Sequence, residues 1–325
     1  MDDELSIRIS RLMSMCVGCG RCTDNCPSHR HGGCDPRAVM GGADGGIRDC
    51  IGCGECTRVC EHTDPTCVML HMRSKALGSA VGELYRRTGF VRPVSDLSRD
   101  RLEPVWKDGD RLMTGCMVQS EAPYLAYAAT VALDAMGIGC SALPGDACCT
   151  YPLPFRQMQD AERDAIRKGI GASADGRRIV TLCPGCDTEL RRSGVDAVNL
   201  VNHVARHLDR VPVLDRELKL AIEPGCHYDT LHADMIRIVE AVGAEFVGNR
   251  HGCCGKKIPG VSEGLMKERQ AEVAGADGII VACPMCLTRY DSAPGGLPVM
   301  HIAELLALAA GDASALEYHR IGWDA

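Results

Sequence analysis

Twenty-one cysteines in 325 residues, most of them gathered into CxxC and CC units, constrain this chain more than any other feature. Cysteine densities of that order in small secreted domains mark disulfide scaffolds. This chain is much larger, and its opening Asp2-Asp3-Glu4 does not read as the charged-then-apolar leader of a secreted protein. Adjacent cysteines are also poor partners for each other in ordinary disulfides. Both spacings suit metal ligation by thiolates in a reducing compartment, so a cytoplasmic location is expected. The formal net charge of −7 offers no electrostatic footprint for nucleic acid. The longest apolar run, Tyr124 to Leu133, is ten residues, and a membrane span needs about 20. The chain is not expected to span a membrane itself.

Three blocks follow from the pattern. Residues 1–90 form a cysteine-rich domain, residues 91–110 a charged, proline-containing linker, and residues 111–212 and 213–325 two copies of an internal repeat. In the first copy, Gly115-Cys116 leads into a helical pattern over 121–136 and a short strand near 138–143. Cys148-Cys149 and a polar helix near 157–170 come next. The strand Ile179–Leu182, Cys183-Pro184-Gly185-Cys186 and a closing Val201-Asn202-His203 complete it. The second copy runs through the strand 218–223, Gly225-Cys226, a helix over 229–242 and a strand near 244–248. Cys253-Cys254, a helix near 262–274, the strand 279–282, Cys283-Pro284-Met285-Cys286 and Val299-Met300-His301 follow. Continuous apolar strands alternating with helices argue two α/β units with mainly parallel, buried sheets. Each cysteine group falls just after a strand or before a helix, where open α/β sheets bind ligands.

Within the first block, Cys16-x2-Cys19-x2-Cys22-x3-Cys26-Pro27 matches the bacterial ferredoxin run. Cys50-x2-Cys53-x2-Cys56-x3-Cys60 repeats it with Glu61 in place of the final proline. Three closely spaced thiolates wrap one cluster, and the fourth is too far along the chain and serves the other. The expected sets are Cys16, Cys19 and Cys22 with Cys60, and Cys50, Cys53 and Cys56 with Cys26. Gly18, Gly20, Gly52 and Gly54 let the backbone approach the sulfurs. Zinc knuckles, which pair CxxC units across a longer gap, are the weaker reading. Cys34 and Cys67 are left over and read as buried or free thiols ahead of a ligand-swap role.

The copies of the repeat carry five cysteines each: Cys116, Cys148, Cys149, Cys183 and Cys186, then Cys226, Cys253, Cys254, Cys283 and Cys286. Five exceeds what one cubane or zinc ion needs, which suggests a bridging ligand or a catalytic thiol. The order GC, CC, CPxC, with Cys253-Cys254-Gly255, Pro224-Gly225-Cys226-His227 and the closing His301, Leu305-Leu306 and Ala310-Gly311, resembles the CCG-domain family over about residues 111–312. Within that family it is most similar to the catalytic B-type component of heterodisulfide reductase from methanogenic archaea. The N-terminal block is similar to the C-type component, so the whole chain resembles a C–B fusion of the D type. The resemblance implies an α/β fold, with a helical ferredoxin-like domain for two [4Fe-4S] clusters followed by two tandem α/β CCG repeats. It implies two cubane and two non-cubane [4Fe-4S] clusters, the latter splitting the coenzyme M–coenzyme B disulfide between them. Cys148 and Cys149 on one side, and Cys253 and Cys254 on the other, would be the catalytic edges. Two departures stand out: Thr150 replaces the motif glycine of the first copy, and both cysteine gaps of the second copy are five residues shorter. They leave one site open to zinc or a plain cubane.

His203, His227 and His301 flank the motifs, as proton donors to a leaving thiolate or, more in keeping with buried histidines, as hydrogen-bonding structural groups. Lys256, Lys257, Arg191 and Arg192 offer charge for a coenzyme's sulfonate or phosphate, or a solvated basic surface. No nucleotide or flavin fingerprint occurs. The expected partners are therefore an electron-donating redox subunit, either a flavoprotein or a haem-b membrane protein, and a thiol/disulfide coenzyme. The rival readings are the iron–sulfur subunit of a glycolate, lactate or glycerol-phosphate dehydrogenase, and an electron-delivery or maturation factor in methanogenesis.

Overall fold

Proline starts three of the helices in the N-terminal, cysteine-rich region. Helices α1 (Asp2–Ser14), α2 (Arg21–Asp24), α3 (Pro27–Arg30), α4 (Pro36–Met40), α5 (Glu55–Arg58), α6 (Pro65–Leu77) and α7 (Ala80–Thr88) make up this region. Pro27, Pro36 and Pro65 each occupy a first helical position, where the missing N–H costs nothing and the fixed φ suits the helix. Asp35 and Asp64 cap α4 and α6 by accepting from the amides of Ala38 and Cys67. The computed structural model describes residues 2–95, 102–151, 158–249, 252–255, 258–293 and 295–323.

Two compact units emerge. The first combines Met1–Glu83 with Leu153–Asp160 and Cys253–Glu268. One of its cores gathers Ile9, Val39, Met40, Ile47, Val68 and Met69 around Cys22, Cys34, Cys50, Cys56 and Cys67. Another packs Ile51 and Cys53 against Cys253, Ile258, Val261 and Leu265. The segment that begins at Cys253 thus shares a core with the second cysteine run, an association that sequence separation conceals.

The second unit comprises Leu84–Pro152, Ala161–Gly252 and Arg269–Ala325. It holds two four-stranded sheets. In the first, β1 (Asp110–Met113), β2 (Cys140–Ala142), β3 (Ile179–Thr181) and β4 (Ala197–Asn199) lie in the order β2-β1-β3-β4. In the other, β5 (Lys219–Glu223), β6 (Glu245–Asn249), β7 (Gly278–Val281) and β8 (Val299–His301) lie in the order β6-β5-β7-β8. All pairings are parallel. The central strands β3 and β7 are buried along their length, as two-sided parallel strands must be. The connecting helices are α8 (Gly115–Glu121), α9 (Tyr124–Ala135), α10 (Asp160–Ser173), α11 (Pro184–Arg192), α12 (Leu200–Val204), α13 (Tyr228–Ala241), α14 (Val261–Glu272), α15 (Pro284–Tyr290) and α16 (Ile302–Ala309).

The repeats exchange helices. On one side α9 packs on α16, and on the other α13 packs on α12. Tyr124 stacks on Tyr318 with ring centroids 5.2 Å apart, and the Tyr127 hydroxyl donates to Asp312 at 2.5 Å. Asn202 donates to the Thr230 carbonyl and to Asp234, both at 2.9 Å.

Three expectations change. The helix expected over 121–136 is α9, Tyr124–Ala135, and it starts late because Pro123 forces Ala122 out of the helical region, to φ −143° and ψ 56°, where the unexpected α8 ends. The polar helix expected near 157–170 runs over Asp160–Ser173, and residue 157 lies outside the described residues. The repeats also align differently. Strand pairing sets Thr181 beside Asn199 and Val281 beside His301, so the counterpart of His301 is Asn199, not His203. Part of the linker region, 96–101, lies outside the described residues, and Asp110 already belongs to β1.

Candidate functional site

The N-terminal cysteines fall on a duplicated loop. Gly18, Gly20, Gly52 and Gly54 have φ of 69°, 86°, 63° and 87°, a left-handed backbone that side chains other than glycine adopt only under strain. Gly20 and Gly54 then cap α2 and α5, which carry Cys22 and Cys56 inward. Cys16, Cys19, Cys22 and Cys60 line one small cavity together with Gly18 and Gly20. Cys26 is elsewhere: its charge is felt by Cys53 and Cys56, and Cys50 in turn raises its own pKa behind the larger effect of burial. The first group of four expected from the spacing thus lines one cavity, and Cys26 lies within electrostatic reach of Cys50, Cys53 and Cys56 but also of Cys22. Burial pushes the Cys56 thiol up to about 12, a cost that a bound cation offsets. Glu61, where the first run has proline, is ion-paired with Arg21 across the two runs at 2.5 Å.

Cys253 belongs to the same unit. Burial raises the Cys53 thiol's pKa most, and the charge of Cys253 raises it next. Cys254 is buried alongside, and Lys256 and Lys257 lie outside the described residues. Cys226, Cys283 and Cys286 belong to the second unit, with all five cysteines of the first repeat.

In that unit the switch point of each sheet, between β1 and β3 or β5 and β7, is where crossovers leave in opposite directions. The GC turn follows β1 and β5, and the CPxC turn follows β3 and β7. Gly115 and Gly225 have φ of 69° and 65°, and a Cβ on either would sit 3.3 Å from the sulfur of Cys186 or Cys286 of its own repeat. Cys183 and Cys283 take the same extended conformation before Pro184 and Pro284. The duplicated turns thus have a duplicated geometry.

Thiols form a continuous file. Cys148 contacts Cys116 and Cys149, and Cys149 contacts Cys186. Cys186 contacts Cys183, Cys183 contacts Cys283 of the other repeat, and Cys283 contacts Cys286. Hydrogen bonds from Cys148 and Cys186 hold Cys149 well below its ordinary pKa, with the charge of Arg167 helping. Hydrogen bonds from Cys186 and Cys283 do the same for Cys183, and Cys283 is pushed up to about 12 by its bond to Cys183. Buried thiols predisposed to ionise in this way suit metal ligation. Among the described residues, no three or more His, Cys, Asp or Glu side chains converge as ligands of a single ion. The donor set is instead a spread of thiols, which fits a multi-iron cluster held at several corners.

Buried charges fix these turns, and sequence reasoning missed them. Arg167 on α10 donates to the Cys149 carbonyl at 3.1 Å and pairs with Glu189, which also pairs with Arg163 at 2.9 Å. Arg269 on α14 donates to the Gly252 carbonyl at 3.2 Å and pairs with Glu223 at 2.7 Å. Asp146 accepts from the amides of Thr114 and Gly115 at 2.7 and 3.2 Å, and Glu223 accepts from that of Gly225 at 3.2 Å. Burial raises the pKa of both carboxyls. The only sequence signal is an acidic residue two positions ahead of Cys148 and of Gly225. Cys140, also unremarked in the sequence, is buried in β2, where burial lifts it to about 12.

The histidines divide. His301 is fully buried, accepts from the Ala303 amide at 3.2 Å and meets the Leu182 carbonyl at 3.1 Å. This is a structural role that joins the repeats, and burial keeps the ring neutral. His203 is buried, with its pKa lowered by burial. His227 lies 3.5 Å from the Thr188 hydroxyl. Arg191 and Arg192 pair with Asp187 and Glu189 on their own helix, at 3.7 and 2.8 Å.

Against known proteins, residues 8–61 match the 4Fe-4S dicluster domain, and residues 111–191 and 220–290 match the cysteine-rich domain known as CCG. The chain is an iron–sulfur protein that carries a 4Fe-4S dicluster domain followed by two CCG cysteine-rich domains. It is 25% identical over 266 residues to the B-type component of the Ferredoxin/F(420)H(2)-dependent CoB-CoM heterodisulfide reductase of Methanosarcina acetivorans, covering 62% of this chain and 88% of that one. The B-type component of the Ferredoxin:CoB-CoM heterodisulfide reductase of Methanosarcina mazei aligns with the same identity and coverage. The C-type component of the Anaerobic glycerol-3-phosphate dehydrogenase of Escherichia coli is 26% identical over 244 residues, 63% of this chain and 60% of that one. This chain is thus an electron-transfer subunit related to both. Among the described residues, no helix is long and apolar enough to cross a membrane.

Proposed function

We propose that this chain reduces a disulfide, receiving electrons one at a time from a redox partner. The reaction consumes two electrons and two protons and yields two thiols, R–S–S–R′ becoming RSH and R′SH. The observation that carries the reading is the meeting of Cys183 and Cys283, one from each repeat, in an unbroken file of thiols. A disulfide takes up two electrons, so two electron-bearing sites at a shared edge answer its chemistry. Iron–sulfur clusters, when bound, supply single electrons over a wide range of potentials.

In this reading Cys16, Cys19, Cys22 and Cys60 hold one cubane cluster, and Cys50, Cys53, Cys56 and Cys26 the other. Cys116, Cys148, Cys149, Cys183 and Cys186 hold a third cluster, and Cys226, Cys253, Cys254, Cys283 and Cys286 a fourth, both of the non-cubane kind. The cysteine pairs form the working edges. Cys53 and Cys253 share a core, which supports electron passage from the N-terminal domain into the second repeat. Arg167 and Arg269 orient the cysteine-pair loops through the carbonyls of Cys149 and Gly252. The substrate favoured is the coenzyme M–coenzyme B disulfide, by likeness to the Methanosarcina proteins. A flavoprotein or a haem-b membrane protein is the proposed donor.

Anaerobically purified protein is expected to bind about 16 irons, four per cluster, and to reduce the heterodisulfide with reduced viologen. Cys254→Ala should abolish turnover, whereas Cys140→Ala, on a strand away from the thiol file, should leave it within a few fold. Intact protein that reduces no heterodisulfide, and whose EPR signals ignore coenzyme M, would overturn the reading. The alignment with the glycerol-3-phosphate dehydrogenase component favours a second one, electron transfer from a flavin dehydrogenase. It predicts rapid cluster reduction by such a partner and no disulfide chemistry.

A further inference from the structure

Cys34 belongs to neither ferredoxin run, yet it is completely buried in the core of the first unit. Its thiol lies against that of Cys50, and its carbonyl accepts from the Cys26 thiol at 3.6 Å. The placement is built rather than incidental. The buried Ser28 hydroxyl accepts from the Cys34 amide at 2.9 Å and donates to the Asp49 carbonyl at 2.7 Å. One side chain thereby ties the residue before Cys50 to the backbone of Cys34. Gly33 permits the approach, because a Cβ there would collide with the Ser28 hydroxyl and come within 2.7 Å of Val261. The other spare thiol of this unit, Cys67, has Arg8 and Asp64 as its electrostatic neighbours rather than the cluster cysteines.

We propose that Cys34 is a resident fifth sulfur of the second N-terminal site, donating its thiol hydrogen to the Cys50 sulfur and thereby raising the reduction potential of the cluster held there. The inference rests on the ligand sets proposed above. A ligating Cys50 is a thiolate with lone pairs and no proton, so the hydrogen between the two sulfurs is that of Cys34. A donor to a ligating sulfur stabilises the more negative, reduced state, and hydrogen bonding to cluster sulfurs is a recognised determinant of potential. A hydrogen bond to a charged group changes an equilibrium on the order of tenfold or more.

Redox titration of the full chain followed by EPR tests this. Cys34→Ala should keep the iron content and both N-terminal signals. The reduced-to-oxidised ratio of one cluster at fixed potential should fall about tenfold, equivalent to about 59 mV for one electron. Cys34→Ser, which keeps a donor of nearly the same shape, should retain most of the wild-type value and guards against a packing defect. Unchanged potentials in Cys34→Ala overturn the proposal. Loss of about four irons in both variants also overturns it, because Cys34 would then be a ligand. If wild-type protein lacks the two N-terminal signals altogether, the ligand sets fail first and the proposal falls with them.

Discussion

The residue after the cysteine pair is Thr150 in the first repeat and Gly255 in the second, and both adopt the left-handed conformation, at φ 66° and 76°. The turn therefore demands that backbone whatever side chain occupies it. What differs is the room around it. A Cβ on Gly255 would lie 2.9 Å from Ser262 Cα and 3.0 Å from Leu265 Cδ1 on α14, so only glycine fits. Thr150 is fully buried with its hydroxyl unpartnered among the described residues. The first repeat accommodates a side chain and bears the strain. The second repeat has the shorter gap between its cysteine pair and CPxC turn, and there α14 presses on the pair.

The largest effect should come from the buried ion pairs. Glu189 of the first repeat touches Arg163, Arg167 and Arg192. Among the described residues, Glu223 of the second has one guanidinium, Arg269, with Tyr290 and the Gly225 amide. Breaking a buried pair costs about 3–5 kcal/mol when the survivor is left unmatched. Arg269→Met should approach that figure in urea unfolding, and Arg167→Met should cost clearly less because two arginines remain. Equal losses would show that the repeats do not differ in this respect.

Next in size is Gly255→Ala. Left-handed strain of about 1–2 kcal/mol adds to overpacking of about 1–3 kcal/mol, so a loss of about 2–5 kcal/mol is expected. A cost under about 1 kcal/mol would mean that α14 yields.

A pH effect should come third, and from the second repeat alone. Its closing helix carries the buried Glu304 where the first repeat has the neutral Asn202. His319, whose side chain is also fully buried, sits 2.8 Å from Glu304 and 3.6 Å from Asp291. Burial pulls the imidazole's pKa down, but Glu304 and then Asp291 more than offset this and lift it to about 10. The unfolded value is about 6.5. The stabilisation is fully present below that pH and is lost as pH rises towards 10. Urea midpoints should fall across this window in the wild type and fall less in His319→Gln. Identical slopes would remove His319 from the account.

The cysteine pattern was legible in the sequence because a cluster's grip is local: three thiolates at x2 spacing and glycines between them need no tertiary information. Parallel buried strands were legible because Ile179–Leu182 and 279–282 are short apolar runs, interrupted only by Thr181. The likeness of Val201-Asn202-His203 to Val299-Met300-His301 misled, because strand register, not local pattern, decides that Asn199 matches His301. Both residues cap the helix that follows, Asn199 through Val201 and His301 through Ala303, and asparagine and histidine share that acceptor chemistry without looking alike. The association of Cys253 with Ile51 and Cys53, and the stacking of Tyr124 on Tyr318, join segments roughly two hundred residues apart. No periodicity announces them.

The smallest expected effect, and the only gain, is Thr150→Gly. Four contributions compete there. Releasing a β-branched residue from the left-handed region recovers about 1–2 kcal/mol. Removing a buried hydroxyl without a partner recovers about 1–3 kcal/mol. Against these stand the greater unfolded-state entropy of glycine, about 0.5–1 kcal/mol, and the lost burial of two carbons, Cβ and Cγ2, about 1.6 kcal/mol. With every contribution taken at the middle of its range, the balance favours glycine by about 1 kcal/mol. Thr150→Val separates the two gains, because it removes the hydroxyl and keeps the strain. If Thr150→Gly raises the urea midpoint and Thr150→Val raises it by part of that amount, both gains act. If Thr150→Gly lowers the midpoint, the threonine side chain supports the first repeat's cysteine pair by packing, and the equivalence of the two turns stops at the backbone.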